Sequence, residues 1–165
     1  PSFFNLEFLA RNIFYNNLNQ KINIIPLALN SSIGINNFNL STTEWGGALS
    51  SFDKSYDKSG KEMKPEFTYK TLGFNLDTLS DLLGVTNADY IKIDVDGLEH
   101  IILQGAKNVL KNVKEILIEV NDDFHEQKEN VEKILFELDF YREKKIHINS
   151  LTDKFSNQIW KKNIK

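Results

Sequence analysis

Tyr90-Ile91-Lys92-Ile93-Asp94-Val95-Asp96-Gly97-Leu98-Glu99 is the stretch on which the fold turns. Tyr90 to Val95 reads as a compact strand, and Gly97 lets the backbone turn sharply. Leu98, Ile101, Ile102, Ala106, Val109 and Leu110 then recur at helical spacing, predicting a helix over Leu98–Leu110. The same two units repeat downstream. Val113 to Val120 is a second strand, and Val131, Ile134, Leu135 and Leu138 mark a helix over His125–Leu138. Strand-helix alternation predicts an α/β fold with parallel strands, right-handed crossovers and helices on both faces. Ligands in such sheets bind beyond the carboxyl ends of the strands.

Outward from this centre the pattern is shorter-ranged. Pro1 and Ser2 suit a helix start, and Phe3, Phe4, Leu6, Phe8, Leu9, Ile13 and Phe14 predict a helix with those phenylalanines in the core. Ile22–Leu29 reads as a strand, Ile35–Leu40 as a weaker one, and residues 41–64 as a mobile loop around Trp45-Gly46-Gly47. Phe67–Leu72 alternates as a strand, and Asp77–Leu83 is a short helix closed by Gly84. Strands are expected over Tyr141–Ile148 and Phe155–Lys161.

The 165 residues match one domain, with 41% hydrophobic and 26% charged residues arguing for a folded chain. A net charge of −3 gives no basic footprint, so no nucleic-acid partner is expected. The absence of cysteine excludes disulfides and thiolate chemistry. His100, His125 and His147 show no metal-ligand spacing, so no metal site is assigned. No apolar run of membrane length and no secretory leader is present, so no membrane partner is expected and the location by elimination is cytoplasmic. Gly-x-Gly-x-x-Gly and Gly-x-x-x-x-Gly-Lys-Ser are both missing. A start at Pro1 inside an amphipathic pattern suggests a fragment.

Chemistry is expected where strands meet turns. Lys92, Asp94 and Asp96 share one side of an extended strand. A charge ending an apolar strand is costly to bury unpaired, so Asp94 faces a polar cleft or pairs with Lys92. Asp96 and Glu99 are equally readable as helix-capping acids. The second strand ends at Ile118-Glu119-Val120, with Asp122 and Asp123 beyond it as capping residues. If the two strands are neighbours, Asp94 and Glu119 end side by side, as a base with its partner or as a divalent-metal pair.

The run Asp89–Glu99, with Leu103-Gln104-Gly105-Ala106 and Ile116-Leu117-Ile118-Glu119-Val120, resembles the FkbM family of S-adenosylmethionine-dependent methyltransferases. That family reads Ile-Lys-Ile-Asp-Val-Glu-Gly-x-Glu, then Leu-x-Gly-Ala, then a strand ending in Glu. Asp96 stands where the family usually has Glu, which keeps the charge but shortens the reach. Ile25-Pro26-Leu27-Ala28-Leu29-Asn30 is similar to the family's third strand, and Leu76-Asp77-Thr78-Leu79 to the helix before its fourth.

The resemblance implies a Rossmann-like class I methyltransferase sheet, order 3-2-1-4-5-7-6, here lacking its first two strands and the glycine-rich cofactor turn. Residues 1–165 are then one partial domain, expected to be unstable in isolation and to bind cofactor weakly. The implied cofactor is S-adenosyl-L-methionine, and the implied reaction is methyl transfer to a hydroxyl of a sugar or small molecule. Asp94, Glu119 and Lys92 are the catalytic candidates. Ala28, Leu29 and Asp94 are the cofactor-binding candidates, and Asp96, Glu99 and Trp45 those for the acceptor. Two other readings stay open. Asp94-Val95-Asp96 is also the Asp-x-Asp of metal-dependent glycosyltransferases that grip a nucleotide-sugar diphosphate. The chain also reads as a non-catalytic α/β binding module.

Overall fold

Ser2 starts the chain's first helix, α1 (Phe3–Tyr15), its hydroxyl accepting from the Asn5 N–H at 3.4 Å. The computed structural model describes residues 1–85, 88–147 and 154–163. Two four-stranded sheets follow. The first has the order β1 (Ala28–Leu29), β4 (Phe67–Phe74), β2 (Gly34–Leu40), β3 (Ser50–Phe52). The second has the order β5 (Tyr90–Ile93), β6 (Glu115–Asn121), β8 (Phe155–Lys162), β7 (Phe140–His147). Helices α2 (Leu76–Leu83), α3 (Glu99–Gln104) and α4 (His125–Glu137) complete the set.

The β5–α3–β6–α4 rhythm matches the alternation of the sequence, and β5 and β6 pair in parallel. The chain then turns back, and β8 runs antiparallel to both β6 and β7. Ile116, Ile118 and Val120 of β6 are buried against Val131, Ile134 and Leu135 of α4 and Ile102 and Leu103 of α3. Because α3 and α4 pack on each other and both touch β6, they lie on one face. The expected helices on both faces are therefore corrected. On the other face Leu117 and Ile159 are partly exposed, and Tyr90 at the free edge of β5 is 71% exposed.

Three further corrections concern local structure. The strand predicted over Ile22–Leu29 shrinks to Ala28–Leu29, which pairs in parallel with Gly73 and Phe74; Pro26 has no N–H for a longer ladder. The predicted Leu98–Leu110 helix breaks at Gly105, giving α3 and a 3-10 turn at Val109–Lys111. There the chain presses against β1, and a Cβ on Gly105 would come 2.5 Å from the Asn30 carbonyl. Asp77 holds the break by accepting from the Asn108 and Val109 N–H groups at 2.9–3.0 Å.

The phenylalanines of α1 are not core. Phe3, Phe8 and Phe14 are 62%, 50% and 74% exposed, and Phe4 is only partly buried. Ile13 alone in α1 is buried, because among the described residues nothing covers the helix's outer face. Helix α2 matches its prediction, with Asn75 capping the start and Gly84 left-handed at the end. Strands β2, β4 and β8 lie where strands were expected; Ile148, at the end of the predicted Tyr141–Ile148 strand, lies outside the described residues.

Helix α3 is the joint between the two sheets. Its residues from Glu99 to Leu103 are all buried. Ile102 and Leu103 belong to the core of the second sheet, whereas Ile101 and the preceding Leu98 pack with Ala28, Phe38, Leu40 and Phe52 of the first. Val95, between the two aspartates, touches both cores. The β5–α3 turn thus sits on a rigid base, which is where a reactive side chain is best held.

Candidate active site

Register sets the end of β5 beside Ile118 of β6, which runs on to Asn121. Ile93 pairs with Ile118, so Asp94 and Glu119 follow at neighbouring positions beyond the ladder. Burial first, then the charges of Asp94 and Glu99, push the Glu119 carboxyl above its ordinary range. Lys92 binds Asp94 at 2.8 Å, with both side chains largely exposed. That contact raises the Lys92 ammonium above its ordinary value.

A cavity of about 400 Å³ opens beside this rim. Ala28 and Leu29 of β1, Phe38 and Phe52 of the first sheet, and Asp94 and Asp96 of the turn line it. Four of the sequence-derived candidates, Ala28, Leu29, Asp94 and Asp96, therefore meet around one space. Lys92, Glu119, Glu99 and Trp45 are not in its wall.

Each of those four has a different position. Lys92 and Glu119 stand next to Asp94 at the strand ends. Glu99 is fully buried, and its carboxylate accepts from the N–H of Val95 at 3.1 Å and of Gly97 at 3.0 Å. Gln127 of α4 donates to the same carboxylate at 2.5 Å and accepts from the Asn121 N–H at 2.8 Å. A relay thus ties the β5 exit to the β6 exit. Glu99, expected to contact an acceptor, is spent on the turn itself; burial pushes its carboxyl up while these donors pull it down. Trp45 is 63% exposed, while its neighbours Gly47 and Ala48 line the cavity.

Asp96 is held by a contact that local sequence does not reveal. Its Oδ2 accepts from the Leu49 N–H at 2.9 Å, and both residues are left-handed at φ 61°. A leucine there is strained, and strain of this kind gathers at working sites. Asn5 fastens the same segment, accepting from the Gly46 N–H and donating to the Gly47 carbonyl, each at 2.9 Å. Burial raises the Asp96 carboxyl while the Leu49 and Ser50 N–H groups lower it.

The 57–60 turn docks on the rim from the other side. Gly97, at φ 105°, lies so close that a Cβ would meet the Asp57 carbonyl at 3.0 Å and the Lys58 Cα at 3.1 Å. Asn121 donates to the Lys58 carbonyl, and Gly60 lies against the Phe124 ring. Leu49, Asn5 and this turn escape sequence reading because each reaches the site across tens of residues.

In chemical terms the cavity offers an apolar wall and two carboxylates. Among the described residues its side chains include no cation. That lining fits a group bearing positive charge beside an apolar surface. No group of three or more His, Asp or Glu side chains able to hold a metal ion occurs among the described residues. Likewise, no helix among them is long and apolar enough to cross a membrane.

Residues 4–145 match the methyltransferase FkbM domain. No curated protein and no solved structure is significantly similar to the chain.

Proposed function

This chain belongs to the FkbM methyltransferase family, and from that premise we propose that it transfers a methyl group from S-adenosyl-L-methionine to a hydroxyl of a sugar or other small molecule. The observation carrying this reading is the meeting of Ala28, Leu29, Asp94 and Asp96 around one cavity at the end of β5. On this reading β5-β6-β8-β7 corresponds to strands 4-5-7-6 of a Rossmann-like class I sheet, and β1 to its third strand.

The cofactor, when bound, supplies an electrophilic methyl group. The chain's own residues do the rest. Ala28 and Leu29 give backbone and apolar contact to the adenine side, and the Asp94 carboxylate faces the positive charge. A hydroxyl is a poor nucleophile until its proton is drawn away. Asp94 accepts that proton or orients the hydroxyl in line for displacement, at about 3–3.5 Å. Lys92 aims the Asp94 carboxylate through their 2.8 Å ion pair. Glu119, with its raised affinity for a proton, is the neighbouring store for it. Asp96 positions the Leu49 segment against the acceptor side.

The test uses the full-length protein. S-adenosylhomocysteine is expected to raise its melting temperature, whereas a nucleotide sugar with manganese is not. Asp94→Asn is expected to abolish turnover while keeping S-adenosylhomocysteine binding. Unchanged turnover removes Asp94 from the mechanism, and stabilisation by the nucleotide sugar alone replaces methyl transfer with glycosyl transfer.

A further inference from the structure

The loop between β2 and β3 supplies part of the wall of the Asp94 cavity. Leu40 and Ser50 form the last rung of that hairpin, so residues 41–49 lie beyond the ladder. Gly47 and Ala48 line the cavity together with Asn5 of α1 and Asp94 and Asp96 of the β5–α3 turn. Residues 46–49 therefore span from α1 to that turn, with cavity wall between the two anchors.

Only polar contacts fasten this span. Among the described residues, no side chain of 41–49 is buried or belongs to either hydrophobic core. At one end the Asn5 amide grips the backbone twice, accepting from the Gly46 N–H and donating to the Gly47 carbonyl, each at 2.9 Å. At the other end the Asp96 carboxylate accepts from the Leu49 N–H at 2.9 Å. Thr43 adds an exposed hydrogen bond to Glu66, and Ser41 ties Ala48 and Leu49 to the neck of the same hairpin.

The tip itself is compact. The Gly47 N–H closes a turn on the Glu44 carbonyl at 3.1 Å, and a Cβ on Gly47 would come 2.5 Å from Thr42. Leu49 opposes the clasps, because φ 61° costs a leucine free energy. Asparagine is a poor helix former, yet Asn5 stands within α1 with both ends of its amide committed to the tip. A segment held by a few polar contacts, without apolar packing and with one strained residue, opens at low cost.

We propose that residues 46–49 are a strap that opens and shuts over the Asp94 cavity as one unit, with Asn5 as its positioning residue and Asp96 as its second clasp. Opening breaks both clasps together and relaxes Leu49. Shutting brings Gly47 and Ala48 back into the cavity wall.

The experiment measures amide hydrogen exchange in the full-length protein, residue by residue, in proton–nitrogen spectra. Asn5→Ala removes one clasp and is expected to speed exchange of the Leu49 N–H, at the far anchor, at least about fivefold. Asp96→Gly removes the other without adding strain at φ 61° and is expected to speed the Gly46 N–H by a similar factor. Exchange at Ile13 in α1 and Leu103 in α3 is expected to stay the same in both variants, which separates strap opening from wider unfolding. Saturating S-adenosylhomocysteine is expected to slow Leu49 exchange in the parent; this arm alone rests on the methyl-transfer reading. The proposal is overturned if each variant frees only the N–H at its own anchor, or if S-adenosylhomocysteine raises the melting temperature without slowing Leu49. A ligand that leaves the melting temperature unchanged counts against methyl transfer, and the two variants then decide the strap by themselves.

Discussion

Glu99→Ala tests whether the buried carboxylate builds the site. The substitution strips the acceptor from the Val95 N–H, the Gly97 N–H and the Gln127 amide, all of which are within 3.1 Å of it. A buried donor left unpaired costs about 1–3 kcal/mol, so three give about 3–9 kcal/mol if they simply add. Relief of the burial that raises the Glu99 carboxyl offsets part of this. Water entering the space offsets more. The net expectation is about 3–5 kcal/mol, the range for breaking a buried charged network. Against a total of about 5–15 kcal/mol, that leaves a marginal fold. Glu99→Gln keeps the volume and one acceptor oxygen and is expected to cost about 1–3 kcal/mol. Urea denaturation of the full-length protein reads both as a fall in midpoint at constant slope. An Ala variant within about 0.5 kcal/mol of the parent would refute the reasoning. Glu99 would then be a surface-like acid, and the relay to Asn121 would not hold the strand ends.

Gly97→Ala is expected to lose about 1–3 kcal/mol, because φ 105° disfavours a side chain and the new methyl meets the 57–60 turn at 3.0 Å. Hydrogen exchange should show faster opening of the Gly60 N–H, which bonds the Asp57 carbonyl at 2.9 Å. Glu119 supplies a pH test. Its carboxyl is raised above 4.5 by burial ahead of Asp94 and Glu99, so the folded state keeps this proton to a higher pH than the unfolded chain. Stability falls as pH climbs from 4.5 through the folded value, and stays lower above it. Glu119→Gln should therefore raise the melting temperature at neutral pH and leave it unchanged below the ordinary glutamate range. A gain that is equal at both pH values would show that ionisation is not its source.

Much of the fold was legible because it rests on local periodicity. The β5–α3–β6–α4 rhythm, the cap at Ser2 and the left-handed stop at Gly84 each follow from residues within one turn or strand of the feature. So does the neighbourhood of Asp94 and Glu119, since parallel pairing of the two strands sets Ile93 opposite Ile118. The errors came where long-range contact overrode the local signal. The α1 phenylalanines have a core's spacing but lack a partner among the described residues, and the helix after Gly97 stops early because β1 presses on Gly105. His100 carried no signal at all, since its burial depends on Phe124 and Glu126, which lie far along the chain.

From the amino-acid order alone came an α/β chain with acids at the strand ends and the family those motifs resemble. Periodicity and turn chemistry act over a few residues, and those statements need no more. Which acids face the cavity was decided only in three dimensions. Asp94 and Glu99 sit five positions apart on one short turn with the same charge. Yet one opens to the cleft and the other is sealed under backbone donors, because the helix that follows the turn packs between two cores.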